Sequence, residues 1–513
     1  MLLTGKYLFS TETFSSREAR VISITVLIFW WIILLIGVNH HEFWRDEVHL
    51  LTVALEPRSI LGIFGAVKDI GHPVVWPLLL RFFHTILDSS LALPIVSTGV
   101  AFAGVFFFYF LSPFSNWQKI FFIFGVLPIY QYSVVARNYG LAMPLLFLFA
   151  HFYRTRKDNP LVLATLLFLL ANTSAHACLI AAVLCLMWMY EYFSGGCEKL
   201  ASHLTGFGLV VLGGLIAIVT TLPGSDNAVT SVTSSELGFG QLIGTLFESL
   251  LHPAQYYVTI FPKASPLIRD LVFWALFAGL CVTPIRAVGL LLGAILLGAF
   301  FTLVVYVHIR HEGIFVLFVI TLYWITVTEE NFSAPIRQWI NRWVACIGLG
   351  GIFAVHLILG GQAIWGEVSY EQSSVKRLAR YISEFSPDAI LMPEPDYIFE
   401  AFPYYANNEI YLIREKKYAK RAQPTIHIKF DLNLNELIEQ AQMLEQKRQK
   451  KVLIVLGHLD LGSRANKQVE FPYGKKFSWT SESLEKFLRL TEKVAEFKFS
   501  GGIENFEVYR LKE

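Results

Sequence analysis

The run Phe43-Trp44-Arg45-Asp46-Glu47-Val48-His49 sets two adjacent carboxylates between an arginine and a histidine, shortly after a long uncharged stretch, Val21–Val38. Adjacent acids in this setting have two chemical uses. A carboxylate tuned by its neighbours can take the proton of a hydroxyl as a general base. A pair of oxygen ligands can instead hold a hard divalent cation such as Mg or Mn. The plain alternative is a solvated helix start, because Asp and Glu favour the first turn of a helix. More polar residues recur at the ends of apolar runs: Gly71-His72-Pro73, Ala136-Arg137-Asn138-Tyr139-Gly140-Leu141, Thr173–His176 and Arg310-His311-Glu312-Gly313. Arg137 and Arg310 can each fork a guanidinium onto phosphate oxygens, or can snorkel toward lipid headgroups. His72, His176 and His311 can contact a ligand or serve as structural hydrogen-bonders. His308 and Arg310 beside Glu312 can also form a local ion-pair network.

The elements that must position these residues are apolar. Of 513 residues, 54% are hydrophobic and 16% charged, against about a quarter charged in soluble domains. Val21–Val38, Leu91–Leu111, Ala287–Val307 and Trp339–Gly360 each approach or exceed the roughly 18 residues that cross a bilayer core. Val21–Val38 is too long for a signal-peptide apolar region and lacks a small-residue cleavage site, so it predicts a first anchor. A net charge of +2 with no Lys/Arg block gives no support to a nucleic-acid partner. The five cysteines, Cys178, Cys185, Cys197, Cys281 and Cys346, lie in or beside apolar segments without metal-type spacing, and none falls in the polar C-terminal region.

Two parts follow: a membrane-embedded residues 1–360 and a soluble α/β domain of residues 361–513. In the latter, short apolar runs (Ala389–Met392, Ile410–Ile413, Val452–Leu456, Phe506–Tyr509) alternate with a polar helical stretch, Leu434–Gln449. Basic residues fix the sidedness. Arg17 and Arg20 place the N-terminus in the cytoplasm, and Arg154, Arg156 and Lys157 mark a second cytoplasmic loop. Between them lie Pro73–Leu87, Leu91–Leu111, Ile120–Ala136 and Tyr139–Tyr153, one too many to cross. Pro73–Leu87 carries Arg81 and His84, so it is read as an interfacial helix within an outer loop, residues 41–90. The count then puts Asn138, Asn172–His176, Arg310–His311 and the soluble tail outside, with Lys199, Arg286, Arg337 and Arg342 inside. About eleven spans are predicted, with Phe239–Ile260 a second surface-lying outer helix.

An acidic pair after the first span, a His-Pro element opening an interfacial helix, an Ala-Arg-x-Tyr-x-Leu element (Ala136–Leu141), a Thr–His element (Thr173 to His176, here with two residues inserted) and a basic turn at Arg310–His311 come in one order. Together they resemble the GT-C membrane glycosyltransferases. Among these, the likeness is to bacterial relatives of protein O-mannosyltransferases, aminoarabinose transferases and the lipopolysaccharide galacturonosyltransferase-like group. Where many of them carry His-Pro-Pro, this chain has His72-Pro73-Val74. The resemblance implies a polyprenyl-phosphate-sugar donor, a glycan, lipid or protein acceptor, and inverting hexosyl or pentosyl transfer. The setting it implies is the periplasmic or extracellular face of a plasma (inner) membrane, in cell-envelope chemistry. Asp46 is then the general base with Glu47 or Arg45 orienting it. Arg137, Arg310 and His311 hold the donor phosphate, while Arg45, His72, Tyr139 and His176 contact substrate. A transporter or lipid flippase is the main rival, and it predicts ionisable groups at mid-bilayer on broken helices.

Overall fold

A computed structural model of the protein describes residues 17–196, 198–224, 226–227, 239–255, 257, 261, 264–304, 308–329, 343–423, 425–457, 459, 461, 466–498 and 504–512. Seven described helices are long and apolar enough to cross a membrane: Arg20–His40, Ala92–Leu111, Ala175–Ser194, Leu200–Thr221, Pro284–Leu303, Ile309–Thr328 and Cys346–Ser369. The chain is a many-pass α-helical membrane protein with a strand-containing C-terminal region. It divides into two compact units, one of Met1–His40, Gly71–Thr221 and Leu237–Val368, the other of His41–Ile70, Leu222–Glu236 and Ser369–Glu513.

The first unit is organised around Ile309–Thr328, which is buried along nearly its whole length and packs against Ala142–Phe152, Ala175–Ser194 and Pro284–Leu303. An apolar helix buried on all sides needs no polar face. About eleven spans are expected and seven described helices reach spanning length; shorter and interrupted apolar segments account for local differences. Val75–Leu87 and Pro160–Ala171 are apolar but short. At 13 residues, Val75–Leu87 covers about 20 Å of the roughly 30 Å bilayer core. The stretch Ile120–Ala136, expected as one span, is broken into a helix Asn116–Ile123, a π-turn Leu127–Gln131 and a 3₁₀ turn Asn138–Leu141. Pro128 removes a ladder donor there. The backbone also approaches the last helix closely: a Cβ on Gly360 would sit 2.5 Å from the Phe124 carbonyl oxygen. That last helix runs on to Ser369, past the predicted boundary at Gly360. Of the predicted surface helix Phe239–Ile260, Phe239–Leu251 is helical, and residues 256 and 258–260 lie outside the described residues, as do Arg337 and Arg342.

The second unit holds nine strands: β1 (Ile390–Glu394), β2 (Tyr411–Leu412), β3 (Lys417–Tyr418), β4 (Asp431–Asn433), β5 (Val452–Gly457), β6 (Lys467–Glu470), β7 (Lys476–Trp479), β8 (Thr491–Phe497) and β9 (Phe506–Leu511). The main sheet runs β1-β5-β9-β8, with β1 and β5 parallel and β9 antiparallel to both of its neighbours. All six residues of β5 are buried, as an uninterrupted run of aliphatic residues demands. Leu434–Arg448 starts where Asn433 accepts the Glu436 N–H at 3.0 Å and contributes Leu437 and Ile438 to the core with Ile454 and Phe477. A fully buried pair, Glu394 with Arg414 at 2.6 Å, lies at the end of β1. The segment His41–Ile70, predicted as a loop of the membrane half, packs with this unit through Arg45–Leu55.

Candidate functional site

The residues singled out in the sequence fall into two groups, one in each unit. In the first unit, helix ends and one helix break bring five of them together. His72 precedes Val75–Leu87, whose first N–H donates to the Asn172 carbonyl at 3.3 Å. Asn138 donates to the Thr173 carbonyl at 2.6 Å, tying the break at residues 132–138 to the start of the helix Ala175–Ser194. Ser174 caps that helix by accepting the Ala177 N–H at 3.2 Å, which sets His176 in its first turn. His311 occupies the first turn of Ile309–Thr328, and Tyr132 donates its hydroxyl to the Arg310 carbonyl in the same turn at 2.8 Å.

Tyr139 is the hub. Its ring centroid lies 4.8 Å from His311, 5.8 Å from His176 and 6.1 Å from His72. The His176 and His311 rings stack at 4.8 Å and 14°. The Arg137 guanidinium stands 5.9 Å from the Tyr139 centroid, with Nη2 3.5 Å from His72 Nε2. Arg137, Tyr139, His176 and His311 are all buried. Neither ring nitrogen of His176, nor Nδ1 of His311, meets a hydrogen-bond partner among the described residues. A buried guanidinium held over an aromatic face beside several ring nitrogens can bind an anion such as a phosphate. Tyr132, which holds the Arg310 turn, was not visible as a site residue because its run reads as plain span.

The second group lies in the second unit and separates the acidic pair by role. Glu47 is fully buried, with its two carboxylate oxygens 3.2 and 3.0 Å from His41 Nε2. It also accepts the Trp44 N–H at 3.3 Å at the start of the helix Arg45–Leu55. Asp46 points differently, with its side chain 38% exposed and Oδ1 3.9 Å from Arg45 Nη1. Arg45 donates its backbone N–H to Glu504 at 3.3 Å, places Nε 3.6 Å from Glu400 and lies 5.1 Å from the Tyr397 ring centroid. His49 Nδ1 meets the same Glu400 oxygen at 2.7 Å.

The electrostatics follow from burial and partners. Burial pushes Glu504 up to about 7, opposed by its hydrogen bonds to Ser373 and the Arg45 N–H and reinforced by the charge of Asp46. Burial acts to raise Glu400 as well, but His49, Arg45 and Arg421 outweigh it and hold the carboxyl below its usual range. Burial likewise raises Glu42, which accepts the Ser373 N–H at 3.3 Å. Glu400 and Glu504 meet the helix start from distant parts of the chain, so no local spacing marks them. With Glu47 spent on His41 and Trp44, the acidic pair does not offer two open carboxylates to one cation. Among the described residues no group of three or more His, Cys, Asp or Glu is placed to hold a metal ion.

No protein-family model matches the chain, and no curated protein matches it. Among solved structures it is similar to the crystal structure of ArnT from Cupriavidus metallidurans in the apo state. That match has 11% identity and a TM-score of 0.48, covering 96% of this chain and 98% of that one. It is also similar to the cryo-EM structure of the arabinofuranosyltransferase AftD from Mycobacteria, at 12% identity and a TM-score of 0.36, covering 96% of this chain and 40% of that one. Identities this low carry no residue roles from one chain to another.

Proposed function

We propose that this membrane protein transfers a sugar from a polyprenyl-phosphate-linked donor to an acceptor hydroxyl at the outer membrane face, with inversion at the sugar carbon. The observation that carries the proposal is the group of buried Arg137, Tyr139, His176 and His311 with half-buried His72, gathered at the ends of apolar helices. A guanidinium among aromatic rings at a span end suits a phosphate whose hydrocarbon tail stays in lipid. The acceptor oxygen attacks the anomeric carbon, the bond from that carbon to the phosphate oxygen breaks, and the acceptor proton passes to a carboxylate. Arg137 takes the charge that develops on the departing lipid phosphate, with Arg310 and His311 beside it. Asp46, the accessible member of the acidic pair, is the general base, and the buried Glu47 holds the helix start that carries it. Packing of His41–Ile70 with Ser369–Glu513 in one unit supports placing Asp46 and the C-terminal region on the same face of the membrane.

The test is release of polyprenyl phosphate, and transfer of label, from a panel of labelled hexosyl and pentosyl polyprenyl-phosphate donors by the full chain in nanodiscs. Arg137→Lys should weaken donor binding and turnover by roughly 10- to 150-fold, because an ammonium cannot reproduce the guanidinium fork. Wild-type turnover by Arg137→Lys would assign the arginine to snorkelling. A wild-type chain that releases no polyprenyl phosphate from any donor in the panel would overturn the transferase assignment.

A further inference from the structure

A polar cleft of about 320 Å³ lies within the second unit, apart from the Asp46 group. Three stretches build it: residues 226–227, residues 415–417, and residue 423 with residues 425–428. A single antiparallel bridge pairs Asn227 with Thr425, and Ile426 donates its N–H to the Asp226 carbonyl at 2.9 Å, so the wall is held by backbone. Its size falls at the small end of ligand pockets, about 300–1,000 Å³.

The lining decides what chemistry fits. Ile428 is its one aliphatic residue, which excludes a lipid tail. Two acids, Asp226 and Glu415, line it with two basic side chains, Lys417 and His427, and the lysine is paired with Glu415 at 2.7 Å. The balance is therefore unfavourable to a phosphate or other anion. Glu415 also accepts the Gln423 N–H at 2.8 Å, so its oxygens are engaged and a hard cation finds no open pair. What remains is a neutral ligand dense in hydroxyl groups. Amide and hydroxyl side chains such as Asn227, Gln423 and Thr425 both donate and accept, and they match the alternating donors and acceptors around a sugar ring.

We infer that this cleft binds a neutral saccharide unit, which is the acceptor glycan of the transfer; the acceptor identity rests on the transferase proposal. The cleft then positions an acceptor chain on the unit that carries Asp46.

Binding can be read without donor or turnover, so the two proposals fail separately. Saturation-transfer NMR on the full chain in detergent micelles would be run with millimolar methyl α-mannopyranoside, methyl β-galactopyranoside, methyl β-glucopyranoside and N-acetylglucosamine. At least one should receive magnetisation. Gln423→Ala should weaken its Kd roughly 2- to 12-fold, the loss of one neutral hydrogen bond, and Asp226→Ala roughly 12- to 150-fold, the loss of one to a charged group, while exposed Lys429→Ala should not. Asp226 is exposed and Gln423 half-buried, so truncation of either leaves the core intact. A thermal unfolding midpoint for each variant checks this, and the Asp226 arm stands if the Gln423 variant does not fold. The inference is overturned if no glycoside binds, if both folded variants bind as wild type does, or if inorganic phosphate displaces the sugar. A chain that binds a glycoside but releases no polyprenyl phosphate sinks the transferase proposal and keeps the cleft.

Discussion

Asp46→Asn and Glu47→Ala change neighbouring acids, and the structure gives them opposite consequences. Glu47 is fully buried against His41 and accepts the N–H that opens its helix. Truncation leaves the His41 ring without its carboxylate and removes that helix-start contact. The expected loss is about 2–5 kcal/mol, with the lower end for a hydrogen bond to one charged group and the upper end for a broken buried ion pair. Asp46 is 38% exposed, and its Oδ1 lies 3.9 Å from Arg45 Nη1. A solvated pair of that kind contributes about 0–1 kcal/mol, so Asp46→Asn should fold normally. Its cost should instead fall on the chemistry, since removing a general base slows a reaction by about 10²–10⁴. The assay measures unfolding midpoint and label transfer on the same nanodisc preparations, with donor binding as a third readout. Near-normal transfer by Asp46→Asn would refute the base assignment. A wild-type midpoint for Glu47→Ala would refute the buried-pair reasoning. Rescue of Asp46→Asn by added Mg or Mn, with loss of wild-type activity to a chelator, would reassign Asp46 to cation binding.

Glu504 predicts a pH dependence of stability. A carboxyl raised from 4.5 to about 7 in the folded state binds an extra proton there between those values, so its contribution is fully present below about 4.5 and is lost as pH rises toward 7. The size is about 3 kcal/mol. Glu504→Gln should therefore raise the unfolding midpoint relative to wild type at pH 8 and much less at pH 5, and an equal shift at both would reject the argument. For topology, single cysteines at Lys416 and Asp158, in a background without native cysteines, should label from opposite sides. An impermeant maleimide should reach Lys416→Cys in intact cells and Asp158→Cys only after permeabilisation, and the reverse pattern would invert the site.

What the sequence made legible was local. His72, Arg137, Tyr139, His176 and His311 were visible because each interrupts or ends an apolar run, and such positions converge when helices pack side by side. Span ends were visible for the same reason, as with Ala92–Leu111 against the predicted Leu91–Leu111. The break at residues 124–138 was harder to see, because it depends on the close approach of Gly360 to the Phe124 carbonyl as well as on Pro128. Glu400 and Glu504 reach the Arg45 helix start from more than 350 residues away, and no spacing rule reports such pairs. The roles of Asp46 and Glu47 could not be separated either, since successive helix residues point about 100° apart and only the fold says which direction is buried. In the C-terminal region, the short apolar runs coincide with β1, β2, β5 and β9. β6, with Lys467 and Glu470 among its four residues, has too little apolar character to announce itself.

Contacts in the first unit group the same residues that the crossing count groups, whichever face each group occupies. Removing Pro73–Leu87 from the crossing count puts Arg156, Lys199 and Arg286 on one side, and His72, Arg137, His176 and His311 on the other. The contacts sort the same residues in the same way. Arg156 and Arg286 both pair with Glu329, and Arg156 reaches Glu191 at 2.9 Å; Lys199 meets Asp158 at 3.1 Å. A count wrong by one crossing would have dispersed one of these groups across the bilayer. Arg156 and Arg286 are offset by Glu191 and Glu329. The two ends thus differ in kind. One is closed by opposite charges that fix four chain segments together. The other buries His176 and His311 with ring nitrogens that no described residue satisfies. Buried polar atoms left unpartnered are costly, and a native fold retains them where a ligand completes them. The Glu329 end keeps such atoms too, on Glu191 and Arg286, so its ion pairs, rather than unsatisfied atoms, distinguish it from the His176 end.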